Sequence, residues 1–272
     1  MQRIRLRYTK RGRLRFTSHR DFQRAFERAL RRAGVPMAYS AGFTPHPKVS
    51  YAGAAPTGVG SEAEYLEIGL AQPRDPQEVR RLLDESLPPG LDVVDAVEAR
   101  TSGLADRLEA SVWELRLDGV EPEQARAAAA AFLAAESVEV QRETKNGVRT
   151  FDCRAAVTRL EVAGLREVAG AADAGSAARS EGAHTDTPTA GTGADGPQRG
   201  ACAILRLVVR HLTPAVRPDD VLTGLRAAAG LAPPVPAAVT RLAQGPLDEE
   251  SGTVTDPLAP DRDAVAVPAG SA

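Results

Sequence analysis

The chain has 272 residues, a formal net charge of −2, 43% hydrophobic residues and only 4% aromatics. That length suits one large domain or two ordinary ones, with a core built from Leu, Val and Ala rather than from rings. No apolar run approaches the roughly 20 residues of a membrane span. The two cysteines, Cys153 and Cys202, are too few for a disulfide framework, a four-cysteine zinc site or the three-cysteine cradle of an iron–sulfur cluster.

The basic N-terminus is not followed by the apolar stretch of a secretory leader, so the expected location is a reducing cytoplasm, away from membranes. Both cysteines read as small buried hydrophobes on strands. Of the 34 basic residues three are Lys and the rest Arg, which with the abundant Ala and Gly is first a mark of a G+C-rich genome. The charge is nonetheless unevenly placed. Residues 1–50 hold thirteen bases and two acids, a net +11, and the remainder therefore carries −13. Such a split points to an acidic or polyanionic partner for the basic part; the bland alternative is a solvated arginine-rich face.

Arg3-Ile4-Arg5-Leu6-Arg7-Tyr8 alternates with the period of a half-buried strand, and Arg13-Leu14-Arg15-Phe16 alternates again after Lys10-Arg11-Gly12. If the two stretches pair as a hairpin, five arginines share one sheet face and need something negative to offset them. A helix follows, with Ser18 as N-cap and Asp21 three residues on. Phe22, Phe26, Ala29 and Leu30 mark its inner face, Arg24, Arg28, Arg31 and Arg32 lie away from it, and Gly34 and Pro36 end it. In the next loop two prolines bracket His46 and bar it from helix. Val49–Ala55 and Glu64–Leu70 read as strands, Asp75-Pro76 opens a second helix, and Leu91–Val97 is a strand.

The order β, α, β, β, α, β is the ferredoxin-like split βαβ arrangement. It recurs with a strand at Ser111–Leu117, a helix from Pro122, a hairpin of Val138–Glu143 with Val148–Val162, a strand at Ile204–His211, a helix at Pro218–Ala229 and a strand at Ala238–Gln244. The expected fold is thus α+β, with two tandem ferredoxin-like (βαββαβ) domains and antiparallel sheets. Their bounds are 1–105 and 109–245. The stretch 164–200, poor in large apolar side chains, reads as a disordered insertion and 246–272 as a disordered tail.

No phosphate loop, HExxH or GxSxG motif is present. His19 and His46, on loops flanking the first helix, have the titration range for acid–base work on a phosphodiester, and equally that of ligand contacts or loop organisers. Tyr39, Phe43 and Tyr51 beside the arginines would stack on unpaired bases or belong to the core. Glu62, Glu64 and Glu67 would pair with arginines; as a metal site they are weak, and none is assigned.

Ser18-His19-Arg20-Asp21, Arg28-Ala29-Leu30-Arg31-Arg32-Ala33, Ala38-Tyr39-Ser40-Ala41-Gly42-Phe43-Thr44-Pro45-His46-Pro47-Lys48, Gly60-Ser61 and Glu64-Tyr65 together resemble the radical SAM-linked protein family, a bacterial domain of unknown function found alone or after a radical SAM domain. Arg20 departs from that family's pattern, which has an apolar residue after the histidine. The resemblance implies a non-catalytic accessory to a radical SAM enzyme. The iron–sulfur cluster and S-adenosylmethionine would then be held by that partner, and this chain would carry no cofactor. The expected binding surface for RNA or a partner protein comprises Arg3, Arg5, Arg7, Arg13, Arg15, Arg20, Arg24, Arg28, Tyr39, Ser40, Phe43, His46 and Lys48. A metal-independent ribonuclease using His19 and His46 is the alternative, by analogy with tandem ferredoxin-like endonucleases.

Overall fold

Ile4, Leu6 and Tyr8 alternate along β1 (Gln2–Lys10) and are buried against the helix α1 (His19–Arg32). A computed structural model describes residues 1–145, 147–163 and 201–264. After α1 come β2 (Val49–Ala52), β3 (Gly60–Leu70), the helix α2 (Pro76–Ser86) and β4 (Val93–Glu98). These strands lie in the order β4-β1-β3-β2, each antiparallel to its neighbour. The Asp21 amide donates to Ser18 Oγ at 3.2 Å, capping α1 at its N-terminus. Gly34, at φ 64, turns the chain out of the helix in the left-handed region that favours glycine. The Gln77 amide donates to Asp75 Oδ1 at 3.2 Å, capping α2.

The expected second strand of an N-terminal hairpin is instead a 3-10 turn, Gly12–Phe16. The reason lies on the edges of β1. One is filled by β3 and the other by β4, so no pairing position is left for residues 13–16.

The second half runs β5 (Ala110–Asp118), α3 (Pro122–Ala134), β6 (Glu139–Thr144), β7 (Gly147–Asp152), β8 (Val157–Ala163), β9 (Cys202–Arg210), α4 (Pro218–Ala229) and β10 (Ala238–Gly245). Four of these strands order as β10-β5-β9-β8, again antiparallel. The expected strand Val148–Val162 is two strands. A turn at Cys153–Ala156 divides it, so β7 pairs with β6 in a separate hairpin while β8 joins the main sheet. Cys153 is therefore buried in a turn rather than on a strand, and burial pushes its thiol up to about 12. Gly224 lets α4 pass close to the α3 side: a Cβ there would lie 2.7 Å from Cys153 Sγ and 2.8 Å from the Phe132 ring.

The halves meet where β3 and β10 run parallel, with Gly60 opposite Thr240 and Ser61 opposite Arg241. They thus form one eight-stranded sheet. Among the described residues this is the parallel pairing in an otherwise antiparallel α+β molecule.

The expected tail carries structure as far as residue 264. After β10 the chain forms β11 (Leu247–Asp248), β12 (Thr253–Val254) and a short helix α5 (Ala259–Asp263). Val254 lies beside Val112 and Val208, and α5 reaches β4. Leu258 is fully buried with Tyr65, Val97, Leu104 and Leu108. This strap lies on the sheet face opposite α1 and α2. Its composition hid it, because one leucine and a few charged side chains with partners far back in the chain hold it down. The expected insertion 164–200 and residues 265–272 lie outside the described residues.

Candidate nucleic-acid interface

The arginine face of β1 is only partly open: Arg3 is exposed, Arg7 half-buried and Arg5 buried. Arg5 is 1% exposed. Its Nε donates to Glu67 at 2.9 Å, one Nη donates to Asp261 of the strap at 2.5 Å, and the other to the Thr101 carbonyl at 2.8 Å. Arg3 pairs with Glu67 at 3.2 Å, and Arg7 Nε donates to the Glu62 carbonyl at 3.0 Å. Asp261 also accepts from Arg107 at 3.0 Å and from the Thr101 hydroxyl at 2.6 Å. Burial raises the pKa of this carboxyl, but the hydrogen bonds from Thr101, Arg5 and Arg107 outweigh it and bring it down to about 2. Glu67 and Asp261 thus offset the charges of Arg3 and Arg5 within the chain, while Arg7 meets a carbonyl.

The three glutamates of β3 have the same fate. Glu62 is held by Arg11, Glu64 by the buried Arg241, and Glu67 by Arg3 and Arg5. Among the described residues no three His, Cys, Asp or Glu side chains group as metal ligands. No helix of the described residues is long and apolar enough to cross a membrane.

The arginines of α1 stand differently. At 100° per residue, Arg20, Arg24, Arg28 and Arg31 fall in one line along the helix, opposite buried Phe22, Phe26, Ala29 and Leu30. All four are exposed. None has an ion pair among the described residues, although Glu27 lies between Arg24 and Arg31 on the same helix. Successive arginines in the line are separated by roughly 6 Å of helix rise or less. Arg31 was legible as outward-facing but is a new member of the site; its signal is the i+3 step from Arg28. Arg32 instead donates to the Ser86 carbonyl at 3.3 Å.

The loop after α1 folds back beside its last turns. The Ser40 amide donates to the His46 carbonyl at 2.9 Å, and the His46 amide donates to Ser40 Oγ at 3.0 Å. Ser40 is therefore the clasp of the loop. Pro47 pairs with Tyr39, and both line a shallow cleft with Glu27 and Arg31 of α1. Tyr39 is 53% exposed and Phe43, at the tip, is fully exposed. Lys48, at the base of the loop, is exposed too. Tyr51 belongs with the core instead, its ring 5.9 Å from that of Phe22.

His19 begins α1, its ring edge-on to Tyr51 at 5.0 Å and its Nε2 3.0 Å from Gln23 Nε2. His46 is exposed in the loop before Pro47, and no hydrogen bond or ring contact joins it to His19 among the described residues. Arg13 and Arg15 sit on the 3-10 turn, the Arg15 guanidinium 4.6 Å above the Phe16 ring.

A family model described as an uncharacterized protein conserved in bacteria (DUF2344) matches residues 3–218. No curated protein matches the chain.

Proposed function

The chain belongs to that family of uncharacterized bacterial proteins (DUF2344), and from this premise we propose that it is a non-catalytic module that binds single-stranded RNA along α1 and the 38–48 loop. The observation that carries the proposal is the line of four exposed arginines without an ion pair among the described residues, ending beside exposed Tyr39 and its loop. Guanidinium groups neutralise phosphates and gain from the released counterions, while exposed rings stack on unpaired bases. A stack on Tyr39 or Phe43 with the backbone on α1 engages both parts at once.

In this reading each half of the chain is a ferredoxin-like unit, the first with strand order 4-1-3-2 and the second repeating it around β5. The role is accessory to a radical SAM enzyme, which would hold the iron–sulfur cluster and S-adenosylmethionine. The ribonuclease reading needs two histidines free at one phosphodiester, whereas the His19 ring is engaged by Tyr51 and Gln23.

Photocrosslinking a uridine-rich oligonucleotide to the protein and sequencing the linked peptides tests the proposal. Links to residues 20–31 and 38–48 are expected. Links confined to β1, the strap or the second half would overturn it.

A further inference from the structure

A second cleft lies at the seam between the halves, away from the α1–loop surface. The 3-10 turn, the approach to β3 and the start of β10 enclose about 430 Å³ there, a size within the range of small-molecule pockets. The Gly58 amide donates to the Arg15 carbonyl at 2.8 Å and ties two of its walls together. Gly58, at φ 91, adopts a backbone that other residues rarely take, and it leaves the Phe16 ring uncovered on that side.

The cleft has a built-in positive charge. Lys10 lines it and is 7% exposed, yet its ammonium makes one hydrogen bond, to the Pro56 carbonyl at 3.3 Å. An ammonium has three donors, so two are left for a ligand. Arg15 lines the same space and has no carboxylate partner among the described residues. The acids nearby are already taken, Glu62 by Arg11 and Glu64 by Arg241. Ser61 is fully buried, accepting from the Ala63 amide at 3.2 Å and from Arg241 Nε at 3.4 Å, and supports the cleft from behind. Phe16, 59% exposed, supplies a flat apolar wall beside these donors.

We infer that the seam cleft is a binding site for a mononucleotide-class ligand, its phosphate on Lys10 and Arg15 and its ring against Phe16. Burial lowers the pKa of Lys10 from the ordinary lysine value, and an anion beside it would raise it again. This inference does not rest on RNA binding at α1, because it uses none of those residues.

Isothermal titration with 5′-AMP, adenosine and inorganic phosphate tests it on the full chain. One saturable site for 5′-AMP is expected, with adenosine and phosphate each about tenfold weaker or more. Arg15→Gln and Phe16→Ala, both at exposed positions, should each weaken 5′-AMP about tenfold with the melting temperature unchanged. Lys10→Met should abolish binding. A protein with Arg20, Arg24, Arg28 and Arg31 changed to Gln should bind 5′-AMP as the wild type does. Absence of saturable 5′-AMP binding, equal affinity for phosphate alone, or unchanged affinity in both exposed variants would overturn the inference.

Discussion

β1 and α1 are neighbours in the chain and both are rich in arginine, yet their charges meet opposite surroundings. On β1 the arginines share a sheet face where the strap and the 99–109 segment bury Arg5, and Glu67 and Asp261 meet it there. On α1 the arginines lie opposite the apolar stripe, so the packing that buries Phe22 and Phe26 leaves them in water. A sheet has two faces that a large molecule can cover, whereas an amphipathic helix packed on a sheet keeps one face out. Net charge counted along a sequence does not separate the two cases. What separates them is where the acids return, here 62 residues on for Glu67 and 256 for Asp261.

The largest expected effect lies on the covered side. Asp261→Ala leaves the buried guanidinium of Arg5 without one of its carboxylates, and breaking such a pair costs about 3–5 kcal/mol. Arg24→Gln, on the exposed helix face, should change stability by less than about 0.5 kcal/mol. Urea unfolding of the two variants beside the wild type measures both. Equal destabilisation would erase the contrast between the two elements.

Acid sharpens the same contrast. The Asp261 carboxyl is held down to about 2 in the folded protein, below the 3.8 of an unperturbed aspartate. The unfolded chain therefore binds the proton more readily, so the stabilisation is present above pH 3.8 and is lost as the pH falls toward 2. An Asp261→Asn protein should lack that part of the acid dependence. Unfolding free energies from pH 5 down to pH 2 give the comparison, and identical slopes would contradict the assignment.

Much of this arrangement was legible in residues close together in the chain. Ser18, the apolar spacing of Phe22 and Phe26, and Gly34 define α1 locally, and Pro122 and Pro218 open α3 and α4 where expected. The misread parts all depend on distant partners. Residues 13–16 alternate like a strand, but β4, eighty residues on, takes the free edge of β1. Val148–Val162 is apolar enough for one strand, but the turn at Cys153–Ala156 sends its halves to different sheets. The strap looked unable to fold because its contribution is ionic: Asp261 with Arg5 and Arg107, and Arg262 with Asp95 and Asp256. Within the site, the outward arginines of α1 followed from helical period. The exposure of Tyr39 and Phe43 beside a half-buried Tyr51 did not, since all three are aromatics around one loop.

The salt dependence of RNA affinity tests the central claim most directly. The logarithm of the binding constant for a single-stranded oligonucleotide should fall linearly with the logarithm of salt concentration, by about 0.7 per phosphate neutralised. Changing Arg20, Arg24, Arg28 and Arg31 together to Gln should flatten that slope by up to about 2.8, whereas Arg3→Gln on β1 should leave it as in the wild type. A slope that survives loss of the four helix arginines, or one that flattens with Arg3→Gln alone, would contradict the account.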